Sequence, residues 1–138
     1  MLEIVNIFND SLEEDLTEEL LEELDLDDSN NVQLEKIIDL LSQEQLNRII
    51  RLDLGFTNIS NISPLRSCLN LQYLYLSYSQ VEDLTPIADC KELHLLFIDG
   101  LDITNIDPLS NLPNLKYLEV CNTGISDLRP LRHCRELQ

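Results

Sequence analysis

The side chains of this chain that could do covalent or metal chemistry are few, and their spacing argues against most of it. The only histidines are His94 and His133, and neither stands at a spacing that pairs it with a nucleophile or a metal ligand. His94 with Asp99 or Glu119 is the one constellation able to handle a proton. Cys68, Cys90, Cys121 and Cys134 include no C-x-x-C pair and no Cys/His set at zinc spacing, so no metal centre is expected. Asp25 and Asp27 alternate like the start of a calcium loop, yet the twelfth position, which needs a bidentate Glu, is Lys36. Gly55, Gly100 and Gly124 are isolated, as expected of chain bends and not of a phosphate-cradling loop. The expectation is a protein without catalytic residues, metal or cofactor.

What remains is recognition chemistry, and the elements that would position it are legible. Pro64, Pro86, Pro108 and Pro130 fall 22 residues apart, and the apolar positions around them recur with the same step. From Ile49 the register reads I-I-R-L-D-L-G-F-T-N-I. Leu71, Leu93 and Leu115 open equivalent runs, and each continues as I-x-x-[LI]-x-P-[LI], over about residues 49–134. Such a period defines a stacked coil in which each repeat makes a short strand, bends, and returns along the back. Leu52, Leu74, Leu96 and Leu118 then form one inward column. Leu54, Leu76, Ile98 and Val120 form a second, and Ile59, Val81, Ile103 and Ile125 a third. Ser63-Pro64, Thr85-Pro86 and Asp107-Pro108 each read as an N-cap followed by proline at the first helical position, predicting a short return turn. Arg129-Pro130 lacks that cap, so the fourth turn is expected to fray first.

This segment resembles the 22-residue leucine-rich repeats of the SDS22-like and internalin-like class. The resemblance implies an α/β solenoid: an arc with a parallel concave β-sheet of about four strands, used to bind other proteins without catalysis. An N-terminal helical cap completes the expected fold. The class carries Asn where this chain has Thr57, Ser79, Leu101 and Thr123. Three hydroxyls can still donate to the buried turn carbonyls; Leu101 cannot, so irregularity is expected in the third coil.

Two parts are expected, an acidic helical cap over 1–47 and a solenoid over 48–138 of about four repeats plus a partial fifth. Residues 1–45 hold 15 Asp and Glu against Lys36 alone, or −14; the rest holds 11 acids against eight bases, or −3, which together make the net −17. Such a surface repels nucleic acid and anionic membranes and attracts basic proteins, although Glu-rich helices also serve plain solubility. Ser11-Leu12-Glu13-Glu14 is a capping box, and Leu12, Leu16, Leu20, Leu21 and Leu24 place an amphipathic helix over about 12–24. A second helix is predicted over about 32–41, and Ser42-Gln43-Glu44-Gln45 caps a third. The opening residues lack the basic start and long apolar run of a signal peptide, so a cytoplasmic location is expected. Cys68, Cys90 and Cys134 share a repeat position with Leu112, which reads as a buried apolar column of free thiols; a Cys68–Cys90 disulfide stays open.

The third, fifth, seventh and eighth positions of each coil, with the second at the margin, are expected on the concave side; they include Asp53, Phe56, Tyr73, Tyr75, Tyr78, His94, Phe97, Asp99, Tyr117 and Glu119 and gather six of the seven aromatics. These residues form the expected partner-binding face, with Glu18, Glu19, Glu22 and Glu23 of the acidic helix steering a basic protein partner. The role expected is an inhibitor or immunity-type protein; the alternative is an SDS22-like adaptor that docks an enzyme such as a phosphatase. The chain stops as a fifth coil begins, at Arg135–Gln138. Either Leu137 forms a lid there or a second copy covers the C-terminal edge as a homodimer.

Overall fold

The computed structural model describes residues 38, 39 and 41–138. The helix predicted over 12–24, most of that over 32–41, and Glu18, Glu19, Glu22 and Glu23 lie outside the described residues. The third predicted helix is present as α1, Gln43–Arg48. Its capping box is complete: the Gln45 N–H donates to Ser42 Oγ at 3.3 Å, and the Ser42 N–H donates to Gln45 Oε1 at 2.9 Å. Leu46 of α1, with Ile38 and Leu41, is buried in the same core as the first coil, as a capping segment requires.

Four parallel strands follow: β1 Arg51–Asp53, β2 Tyr73–Tyr75, β3 Leu95–Phe97 and β4 Tyr117–Glu119. They pair in sequence order as one sheet, with Leu52, Leu74, Leu96 and Leu118 opposite one another. The 22-residue period thus becomes a ladder with no register shift. Each strand is only three residues long, so the central leucine faces the core and the two flanking side chains face the concave side.

The three predicted columns are inward. Leu52, Leu74, Leu96, Leu54, Leu76 and Ile98 are fully buried, and Leu118, Val120 and Ile125 of the fourth coil are half-buried against them. Leu137 packs on this layer, and the Gln138 N–H donates to the Lys116 carbonyl at 2.9 Å. Cys68, Cys90 and Cys134 join Leu112 inside as free thiols. The Cys90 thiol donates to the Leu65 carbonyl at 3.6 Å and the Cys134 thiol to that of Leu109 at 3.3 Å, so two of the column members bond the coil before them.

The return turns correct the capping expectation. Ser63–Ser67, Thr85–Ile87, Asp107–Asn111 and Arg129–His133 are single 3₁₀ turns that include the residue before proline, and none has a side-chain cap at its N-cap position. The cap comes instead from two residues upstream. Asn61, Asp83, Asn105 and Asp127 each accept, through Oδ1, the N–H of the residue that opens the turn, at 2.8–2.9 Å. This is the Asx turn that Asn and Asp favour. The fourth turn is therefore capped like the other three, and Asp127 adds an ion pair with Arg129 at 2.7 Å.

Two hydroxyls behave as expected: Thr57 donates to the Leu54 carbonyl at 2.8 Å and Thr123 to that of Val120 at 3.0 Å. Ser79 does not. Its buried Oγ has no partner, and its backbone N–H reaches the Leu76 carbonyl instead, at 3.0 Å. The third coil, where irregularity was expected, keeps its pairing on both sides while Leu101 fills core space.

Candidate functional site

The outward side chains of the sheet form two rows. Arg51, Tyr73, Leu95 and Tyr117 pair across the strand starts, and Asp53, Tyr75, Phe97 and Glu119 across the strand ends. The central pair is largely occupied by its own neighbours. Tyr75 meets Phe97 edge-on with ring centroids 5.2 Å apart, and the Arg51 guanidinium lies 5.2 Å above the Tyr75 ring. Arg51 also pairs with Asp53 at 3.2 Å. Tyr75 and Phe97 are accordingly half-buried, whereas Tyr73 and Tyr117 are exposed.

The polar members are similarly engaged. Asp53 accepts the Gly55 N–H at 3.2 Å, and Asp99 accepts the Cys121 N–H at 2.7 Å, so both carboxylates fasten the chain just beyond the strands. His94 precedes β3 and Asp99 follows it, and no hydrogen bond joins them among the described residues; the His94 ring stacks on Tyr73 at 6.4 Å. His133 accepts from Arg132 Nε at 2.8 Å in an open polar depression on the return side. Ser110, the hydroxyl there, donates to the Asp107 carbonyl at 2.7 Å. Neither histidine is set against a nucleophile among the described residues. Burial pushes the Cys68 thiol up to about 12 and that of Cys90 to about 11, which removes both as nucleophiles near neutral pH.

Phe56 and Tyr78, which the sequence reading places on the concave side, stand just past the strands, at the bend. With Gly100 and Asn122 they form one repeat position, and all four take a left-handed backbone, φ 57°, 58°, 68° and 54°. The bend of this solenoid requires that conformation at every coil. Gly100 and Asn122 adopt it readily; for a bulky aromatic it is an outlier. All three glycines lie in the bend segments as expected, but only Gly100 takes this left-handed step; Gly55 and Gly124 stand at other positions of the bend. The Phe56 and Tyr78 rings are stacked, 5.0 Å apart and 20° from parallel, and are 80% and 50% exposed. Tyr78 in turn covers Gly100: a Cβ there would stand 2.5 Å from two of its ring carbons. Among the described residues, the most exposed aromatic surface is this stack.

Repeats of 22 residues, an unbroken parallel ladder and an inward leucine column define a leucine-rich repeat solenoid. The "Leucine Rich repeats (2 copies)" family matches residues 47–89. Among solved structures, internalin C2 of Listeria monocytogenes is 41% identical over 67% of this chain, with a TM-score of 0.65. Internalin InlF of the same organism is 34% identical over 67%, with a TM-score of 0.64. The functional domain of its InlJ, which includes a cysteine ladder, is 21% identical over 70%, with a TM-score of 0.60. This chain spans 41%, 27% and 21% of those three chains. No curated protein matches. The chain is a leucine-rich repeat protein, and its fold is that of a protein-interaction module.

Proposed function

We propose that this module binds a basic protein partner through its aromatic concave side and the adjoining bend, and acts as an inhibitor or immunity-type protein in the cytoplasm. The observation that carries the reading is the exposure of Phe56, Tyr73, Tyr78 and Tyr117 on one side of a chain whose core, among the described residues, is aliphatic and thiol. Exposed Tyr and Phe are the usual anchors of an interface, and burying one ring withdraws about 150–250 Å² from water. The −14 charge of residues 1–45 supplies long-range attraction to a basic partner. Burial of Cys68, Cys90 and Cys134 as apolar residues supports a reducing compartment.

One observation favours the adaptor reading. On the concave side Arg51 and Lys116 offset Asp53, Asp99 and Glu119 to within one charge, which suits a nearly neutral interface that leaves a docked enzyme active.

The test is to purify the tagged chain from its native host, identify the partner, and measure both association and the partner's activity. Tyr73→Ala and Tyr117→Ala are each expected to weaken binding by about 2 kcal/mol. Association is expected to slow steeply with salt, and Glu18, Glu19, Glu22 and Glu23 all changed to Gln should reproduce much of that loss at low salt. An active complexed enzyme with a salt-independent on-rate would replace the inhibitor by the adaptor.

A further inference from the structure

Charge is segregated along each coil in a way the aromatic stack makes informative. The bend segments 55–60, 77–82, 99–104 and 121–126 contain Glu82, Asp99 and Asp102 and no Lys, Arg or His. Every base of the four coils lies elsewhere: Arg51 and Lys116 at the strand starts, and Arg66, Lys91, Arg129, Arg132 and Arg135 on the return side. Glu82 and Asp102 are exposed and form no ion pair among the described residues. The residues flanking Gly100, the seat of Tyr78, are thus Asp99 on one side and, two steps on, Asp102.

Resting on the interaction reading above, we infer that the Phe56–Tyr78 stack is a cation-binding platform that docks an arginine-bearing segment of the partner protein. A guanidinium is planar, stacks on aromatic faces, and is drawn to carboxylates. A Tyr or Phe face attracts a cation within about 6 Å of its centroid, the more so once water is excluded. This fold already makes that contact internally, with Arg51 5.2 Å above Tyr75. At the bend the Phe56 and Tyr78 rings show no such contact with a base of their own segments, which hold none. Stacking on Phe56 and resting on Gly100 hold the Tyr78 ring in place before a ligand arrives, which lowers the ordering cost of binding.

The variants follow from the fold itself. Asn122 occupies the same left-handed step in the fourth coil, so Phe56→Asn and Tyr78→Asn remove the rings while keeping a residue suited to that backbone. The probe is a blocked peptide of three arginines alternating with glycine, with its citrulline counterpart, which keeps the shape and loses the charge. Both are titrated into the full ¹⁵N-labelled chain at 0.15 M salt. The expected result is saturable amide shifts centred on Phe56, Tyr78, Gly100 and Asp102, with affinity about tenfold weaker for the citrulline peptide and for the double Asn variant. Three results would each overturn the inference: equal affinity in the folded double variant, equal affinity for citrulline, or shifts confined to residues 1–45, where the acidic segment attracts any polycation. None of the three touches the broader reading. A captured protein that loses binding in Tyr73→Ala and Tyr117→Ala but not in the double Asn variant keeps the interaction module and removes the platform.

Discussion

Gly100→Ala tests the geometry of the bend directly. Gly100 has φ 68°, and an added Cβ would meet Tyr78 Cδ1 and Cε1 at 2.5 Å and Cγ at 3.3 Å. Two costs follow. An Ala held in the left-handed region is destabilised by about 1–2 kcal/mol relative to Gly. Contacts of 2.5 Å are not tolerated, so the Tyr78 ring must leave its seat. It is half-exposed and free to swing outward, and the loss is then its stack with Phe56, about 0.5–1.5 kcal/mol. The sum is about 1.5–3.5 kcal/mol in the wild type. In a Tyr78→Asn background the ring is already gone, and only the backbone cost of about 1–2 kcal/mol remains. Urea unfolding of the four proteins of this cycle, followed by far-UV circular dichroism, gives the coupling as the difference. A coupling of about 0.5–1.5 kcal/mol is expected. If Gly100→Ala costs the same in both backgrounds, Tyr78 does not rest on Gly100 and the preorganised stack is refuted. If it costs nothing in either, the left-handed bend itself is wrong.

Two further outcomes check the core and the return turns. Alkylation at pH 8 is expected to label Cys121 alone in the native protein and all four cysteines after unfolding, because Cys121 is exposed while Cys68, Cys90 and Cys134 are buried with raised thiol pKa values; more than one adduct by mass spectrometry under native conditions would contradict the packed column. The side-chain hydrogen bond from Arg129, with that of its backbone N–H, holds the Asp127 carboxyl down at about 2 against an ordinary 3.8, so its stabilisation is present above pH 3.8 and is lost as pH falls through about 2. Asp127→Asn keeps the cap, as Asn61 and Asn105 do in other coils, so its melting temperature should lie below wild type at pH 5, with the gap narrowed at pH 2 and closing below it; a gap of unchanged size at pH 2 would mean that the ion pair is not its source.

The period carried the fold because stacking copies one backbone into every coil, so each inward position is reported four times and no single exception hides it. The same redundancy holds two signals that reading each coil singly overlooks. Asn61, Asp83, Asn105 and Asp127 form a column of short acceptors two residues before each return turn. They were masked by the Ser, Thr and Asp that stand beside proline and look like caps. Phe56, Tyr78, Gly100 and Asn122 form the other column. Read singly, Phe56 and Tyr78 look like two more face residues; read down the column, Gly and Asn mark a left-handed step. What no column could show was how far Tyr75 and Phe97 would be consumed by each other and by Arg51, since that depends on a diagonal contact across three-residue strands.

The left-handed step also separates packing from function in physical terms. A bend repeated four times requires the same φ in each coil, and two coils meet the requirement with residues suited to it. The other two place large rings there, each at a backbone cost of about 1–2 kcal/mol. Burial recovers little of that cost at Phe56, which is 80% exposed, and a larger part at Tyr78, which is 50% exposed. Their mutual stack returns about 0.5–1.5 kcal/mol for the pair, less than the two residues together give up. Replacing Phe56 by Asn should therefore cost the isolated chain little stability. A conflict between local preference and side chain that the folded chain does not itself resolve is expected where a partner resolves it. The rings at the bend meet that description, and the half-buried Tyr75 and Phe97, which help to hold the sheet face together, do not.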